Sequence, residues 1–291
     1  MNNETVSADI AATIKQAYPT LSKRHKIIAD YILNNYDKAV SLTATNLGNR
    51  LNISESTVVR FAHALGYEGY PQLQRELQEY VRRQLTSLQR MALSNVMDPN
   101  DVYKTVLRED MHNIRATMEQ IDTATCNEVV EKILSARKVF ILGLRSSAPL
   151  AQFMGHYLNY IVDDVYVVES GAHDIFEQLS KANAQDVLIA ISFPRYSTRT
   201  LEGMQFAAQL GVQTVAITDS AHSPMAVANL CLYASTNISS FVDSLVAPLG
   251  LINALVVAVG MRRQERVYQM FVQLENVWEQ YHVYTGRSHE E

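Results

Sequence analysis

The stretch Val187-Leu-Ile-Ala-Ile-Ser-Phe-Pro-Arg-Tyr-Ser-Thr-Arg-Thr200 decides how the chain is read. Val187 to Ile191 is an unbroken apolar run, short enough for a strand buried on both faces. It ends at Ser192. A turn rich in hydroxyls and cations follows, and Leu201 to Leu210 then repeats apolar residues at helical spacing. A second apolar run, Val212 to Thr218, completes a βαβ unit. In open α/β sheets the loop at the carboxyl end of such a strand is where ligands bind. Free N–H groups at the helix start, the hydroxyls of Ser192, Ser197 and Thr200, and the two guanidiniums of Arg195 and Arg199 suit an anion such as a phosphate. The plainer alternative is an ordinary polar loop.

The pattern repeats upstream. Val139-Phe-Ile-Leu-Gly143 is an apolar strand followed by the loop Arg145-Ser146-Ser147 and a helix from Pro149 to Ile161. Val165–Val168 and Leu230–Ala234 complete five strands, with helices expected over 174–181, 241–261 and 263–284. Short connections between alternating strands and helices imply a doubly wound parallel sheet covered on both faces. Strands one and three are neighbours in such a sheet, so their two loops converge. Arg145, Ser146 and Ser147 therefore join the candidate ligand residues. Trp278, with Phe271, Leu274 and Tyr281, reads as core or as a subunit contact.

The first 90 residues lack this alternation. Helical spacing is expected over 4–17 and 23–35, with Ser22 as N-cap and Ile27, Ile28, Tyr31 and Ile32 inward. From Ser41 to Gly66 the sequence reads as two short helices joined at a tight turn. Leu47 and Leu51 face inward on the first, and Gly48 is small where the helices meet. Asn52-Ile53 turns the chain, Ser54 caps the second helix, and Gly66 stops it. Val58, Phe61, Ala62 and Leu65 face the core. This is the helix-turn-helix pattern, with Ser54, Ser56, Thr57, Arg60 and His63 as candidate DNA contacts. A purely structural helical hairpin is the alternative. A longer helix, Gln72 to Arg90, carries Leu73, Leu77, Val81, Leu85 and Leu88 as an apolar stripe, with its arginines expected in solvent. The segment around Asn95–Asp101 reads as a linker, giving a head of 1–90, a connector of 91–105 and a body of 106–291. Helices follow at 102–120 and 124–136.

Composition fits this division. The net charge is −5, yet residues 1–90 hold 11 Lys/Arg against 8 Asp/Glu, and the remainder 14 against 22. A mildly basic head on an acidic body confines nucleic-acid binding to the head. Two cysteines, Cys126 and Cys231, exclude a disulfide scaffold and fit a reducing compartment. The opening residues show no signal peptide. The apolar stretch Leu245–Val259 is broken by Pro248 and Asn253, so a cytoplasmic protein without membrane spans is expected. No metal-ligand or cofactor motif stands out.

The whole chain resembles the RpiR/MurR family of bacterial transcription regulators. The resemblance is carried by Ser54-x-Ser-Thr-Val-x-Arg-Phe61 with the Leu65-Gly66 ending, and by Gly143-x-x-x-Ser147, Ala190-Ile-Ser192, Ile217-Thr-Asp219 and Asp243-Ser-Leu-Val-Ala-Pro-Leu249. It implies an N-terminal helix-turn-helix domain and a sugar isomerase (SIS) domain that binds phosphosugars and alters DNA binding. It also implies a homodimer or homotetramer on an inverted-repeat DNA operator. In SIS domains the first loop supplies hydroxyls, placing Ser146 and Ser147 at a phosphate. The second loop usually reads Ser-x-Ser-Gly-x-Thr/Ser. Here Ser192 and Ser197 match its ends, while Pro194 and Arg195 replace the middle Ser-Gly, and Arg145 stands where glycine is common. The two added cations point to a phosphosugar or sugar-acid effector with a second anionic group. SIS folds also occur in isomerases, whose chemistry needs a base. Glu169, His173 and His156 are the candidates here, although Glu169-Ser-Gly-Ala-His173 is one residue longer than the Glu-x-x-His loop of some SIS isomerases. The reading that follows is a regulator, not an enzyme.

Overall fold

The computed structural model describes residues 10–40, 42–84, 88, 90, 91, 97–238 and 240–284. The expected helical residues 4–9, Leu85, and part of the expected linker lie outside them. The chain divides into two compact units, 1–106 with 237–242, and 107–236 with 243–291.

The first unit is helical: α1 (Ile10–Ala17), α2 (Lys23–Asn34), α3 (Tyr36–Ala39), α4 (Ala44–Leu51), α5 (Glu55–Ala64) and α6 (Tyr70–Gln84). Ser22 Oγ accepts the His25 N–H and Thr43 Oγ1 the Asn46 N–H, so α2 and α4 start on side-chain caps. The core gathers Ile10, Ile14, Ile28, Ile32, Leu47, Val58, Phe61, Leu73 and Leu77. The turn between α4 and α5 depends on Gly48. A Cβ there would stand 2.5 Å from the Ile53 carbonyl oxygen. Asn52 takes the left-handed conformation (φ 55°), which Asn tolerates, and buries Ile53 between the helices. Three expectations fail here. Ile27 is exposed, because the buried face of α2 runs through Ile28, Ala29 and Ile32. Arg90 is buried rather than solvated, and Leu88, expected in the apolar stripe, is exposed.

α7 (Val102–Gln120) runs across the division at residue 106 into the second unit, where α8 (Thr123–Ser135) follows. A five-stranded, all-parallel sheet follows: β1 (Val139–Gly143), β2 (Val165–Val168), β3 (Val187–Ile191), β4 (Gln213–Thr218) and β5 (Leu230–Tyr233). The strand order is β2-β1-β3-β4-β5. Alternate residues feed opposite faces. Ile141, Ile189 and Ile217 pack under α9 (Ala148–Leu158), α8 and α12 (Val246–Arg262). Leu142, Leu188 and Ala216 pack against α10 (Ile175–Leu179) and α11 (Thr198–Gln209). The doubly wound sheet expected from the alternation is present. At the amino end of β3, Arg137 donates to the fully buried Asp186 at 2.7 Å, anchoring the end of the sheet remote from the loops. The last helix, α13 (Gln264–Gln280), has no buried residue, so Trp278 is not core; it meets the Tyr284 ring edge to face and the Phe271 ring at a tilt. Among the described residues, no single helix is long and apolar enough to cross a membrane.

Candidate functional site

Two surfaces carry the candidate residues, one in each unit. On the head, Glu55, Ser56, Val59, Arg60 and His63 line one open face of α5. Ser54 starts the helix without capping it; its hydroxyl instead meets Ser56 Oγ at 3.0 Å and Thr57 Oγ1 at 2.8 Å. Thr57 is buried, not outward as expected. Its hydroxyl accepts from Arg60 Nη2 at 3.2 Å, so it orients the arginine from below. His63 is exposed, with Nδ1 3.1 Å from the Tyr67 carbonyl. Burial, and then the positive charge of Arg60, hold the His25 imidazole below its ordinary pKa. Two contacts that the sequence did not disclose tie the helices of the head together. Thr45 Oγ1 donates to Glu55 at 2.8 Å across the turn. The Tyr70 phenol, pushed up to about 12 by burial, donates to the Leu42 carbonyl at 2.9 Å.

In the second unit β1 and β3 lie side by side, Gly143 opposite Ile191. Their loops line one cleft of about 620 Å³, with Arg145, Ser146, Ser147, Ser192, Arg195 and Ser197 all in its wall. Gly143 lets the first loop fold back, since a Cβ there would stand 2.7 Å from the Ser147 carbonyl oxygen. The second loop is clamped twice. Ser192 Oγ accepts the Ser197 N–H at 3.2 Å, and the Tyr196 phenol donates to Asp219 at 2.7 Å. Ser147 is buried and starts α9, while Ser197 caps α11 by accepting the Thr200 N–H. The positive ends of two helices therefore border the cleft and favour negative charge. Arg145 (φ 57°) and Arg195 (φ 68°) both hold left-handed backbone. Each such residue costs about 1–2 kcal/mol without glycine. The two arginines thus occupy the two loop positions where glycine fits without strain.

Thr200 does not reach the cleft. It is fully buried, one stripe with Gly203, Met204 and Ala207 on the inner face of α11, and its hydroxyl lacks a hydrogen-bond partner. Outside the two loops, two polar lining residues were missed, Ser170 and Asp243. Ser170 follows β2, and adjacency of β2 to β1 was the signal that could have found it. Arg199 lines the wall but is neutralised by Asp174 and by Glu202 at 3.6 Å, and lies over the Phe176 ring. Asp243 comes from the segment between β5 and α12. Glu169, His173 and His156 line no part of the cleft. Glu169 accepts from Gln152, His173 faces Glu177 at 3.4 Å, and His156 meets the Tyr160 phenol at 3.1 Å. Burial pushes both cysteine thiols up, which leaves them poor nucleophiles. Among the described residues, no group of three or more His, Cys, Asp or Glu is placed to hold a metal ion.

Comparison with known proteins agrees with this architecture. Residues 8–84 match the helix-turn-helix domain of the rpiR family, and residues 132–258 match the SIS domain. An uncharacterized HTH-type transcriptional regulator of Haemophilus influenzae is 27% identical over 223 residues, 75% of this chain and 77% of its own. The sugar isomerase domain of an RpiR transcription factor from Sphaerobacter thermophilus superposes with a TM-score of 0.58 at 29% identity, covering 60% of this chain and 99% of that one. The Vibrio vulnificus NanR protein, solved with ManNAc-6P, shares the fold at a TM-score of 0.59 and 20% identity, over 95% of this chain and all of that one. A helix-turn-helix head on a SIS body defines a transcriptional regulator. The chain belongs to the rpiR family of such proteins.

Proposed function

We propose that this regulator binds a phosphosugar, or a sugar acid carrying a second anionic group, in the cleft between the β1 and β3 loops, and that occupancy changes its affinity for an operator. The observation that carries the reading is the convergence of Ser146, Ser147, Ser192, Ser197, Arg145 and Arg195 on one cleft. Hydroxyls and helix N-termini take the phosphate, and the two guanidiniums take the second anion. The sugar phosphate in the related NanR structure supports the ligand class. The head reads DNA through α5, with Arg60 toward a base edge or phosphate and Ser54, Ser56 and His63 beside it. The working division is a head of residues 1–90, a connector of 91–105 and an SIS domain of 106–291. The chain works as a dimer or a dimer of dimers, so the operator is an inverted repeat with half-sites spaced by whole helical turns. A tenfold change in operator affinity needs only ~1.4 kcal/mol of coupling. The isomerase alternative is the weaker one, since its three candidate bases all lie outside the cleft wall.

The test is a thermal-shift screen of sugar phosphates and sugar acids against the wild type, Ser147→Ala and Arg195→Ala. A selective stabiliser of the wild type that loses its effect in both variants, and that alters operator binding, bears the reading out. A stabiliser that acts equally on all three places the effector elsewhere.

A further inference from the structure

The helix α7 has its polarity reversed for a helix lying on a globular body. Its buried positions are polar. Asn113 and Thr117 are fastened to the segment after β5, Ser235 Oγ donating to Asn113 Oδ1 and Ser235 N–H to Thr117 Oγ1, both at 2.9 Å. Most of its large apolar positions face solvent. Leu107, Met111, Ile114 and Met118 are 62%, 64%, 39% and 67% exposed, and Ile121, just past the helix end, is 42% exposed. A surface helix normally turns its apolar stripe inward. A line of exposed large apolar side chains of this kind marks association.

The spacing identifies the kind of partner. The intervals along the line are four, three, four and three residues. That 3.5-residue repeat is the seam of a coiled coil, with Leu107, Ile114 and Ile121 at d positions and Met111 and Met118 at a. The flanking charges identify the partner itself. In this register Asp110 occupies a g position, and Arg108 and Arg115 occupy e positions. In a parallel, in-register pair each g residue faces the e residue of the next heptad on the other helix. Asp110 then meets Arg115 of a second copy, and the two-fold repeats the pair. Asp110 already accepts from Ser244 at 2.6 Å, and a carboxylate has capacity for a further donor. An antiparallel pair would instead set Arg108 against Arg115. We propose that the solvent-facing stripe of α7 is the seam at which two copies of this chain pair, parallel and in register. The inference rests on the dimer reading above and gives it a surface.

Sedimentation equilibrium of the full chain tests it, comparing the wild type with a Met111→Lys/Met118→Lys variant. Both positions are exposed, so the fold should survive, and far-ultraviolet circular dichroism checks that it does. The expected result is a dimeric wild type and a variant whose dimer dissociation constant rises at least 100-fold. A monomeric wild type overturns the dimer reading and the seam together, and would mean that the stripe serves another protein's helix. A dimeric wild type with an equally dimeric variant overturns the seam alone. Orientation is read separately in a Cys126→Ser/Cys231→Ser background. Ile114→Cys should oxidise to a covalent dimer, because parallel pairing brings d positions face to face, whereas Glu119→Cys on the flank should not. Failure of Ile114→Cys to cross-link overturns the parallel register.

Discussion

Gly143 at the end of β1 and Ile191 at the end of β3 are register partners across two adjacent parallel strands. The loops after them therefore leave the sheet side by side, and both reach the same cleft. Everything proposed for the effector follows from that pairing. Had another strand separated the two, the hydroxyls of one loop and the guanidinium of the other would not share a ligand.

Ser147 is the hydroxyl most enclosed in the first loop. Ser147→Ala should weaken effector binding about 10-fold or more, since hydrogen bonds to charged groups contribute ~1.5–3 kcal/mol. The melting temperature of the free protein should stay within a degree or two. Isothermal titration calorimetry with the compound found in the screen measures the first, and calorimetric melting the second.

Arg195 separates stability from binding. Its left-handed backbone is strained, so Arg195→Gly should stabilise the free protein by up to about 1 kcal/mol. The same change should weaken the effector through loss of a cation. Equal or tighter effector binding by Arg195→Gly would argue that the guanidinium has no role in recognition.

Gly48→Ala acts on the head. The new methyl would meet the Ile53 carbonyl oxygen, which belongs to backbone and cannot rotate away. Overpacking of that kind costs about 1–3 kcal/mol. Operator binding should fall while the effector-induced thermal shift of the SIS domain persists.

Arg60→Ala should lower operator affinity by ~1–3 kcal/mol if the guanidinium reads a base edge, with relaxed preference at one operator position. If it contacts a phosphate instead, the loss is uniform across sequences and the salt slope falls by about 1. Fluorescence anisotropy at several salt concentrations distinguishes the two.

His25 gives the head a pH response. Its folded-state pKa lies below the ordinary value of 6.5, so the unfolded chain binds the proton more readily. Its contribution is intact above about pH 6.5 and is lost as pH falls below that, toward the lower folded value. Denaturation of the wild type between pH 5 and 7 should therefore show a steeper loss of stability than His25→Gln.

Much of this was legible in the chain. All five strands were readable from their apolar runs: β1 and β3 are buried on both faces and leave no polar positions to blur their limits, while the edge strands β2 and β5, only partly buried, still keep short apolar runs. The helix-turn-helix was readable because Gly48, Ile53 and Gly66 answer local steric demands. The failures share a different cause. Thr57 and Thr200 were assigned outward for their polarity, yet each lies at a position that the helix's rotation turns inward. Ser170 and Asp243 were missed because they lie outside both quoted loops and reach the cleft through sheet order and a long connection.

The sequence by itself determined the elements, the two-part organisation and the hydroxyl- and arginine-rich character of the loops. Those depend on local periodicity, capping and composition, which neighbouring residues set. Only the tertiary structure decided which hydroxyls face the cleft, that Arg145 and Arg195 hold left-handed backbone, that Arg199 is neutralised by Asp174 and Glu202, and that α7 turns its apolar side to solvent. These depend on which distant segments pack together. A side chain's exposure and charge partners are fixed by that packing, not by its neighbours in the chain.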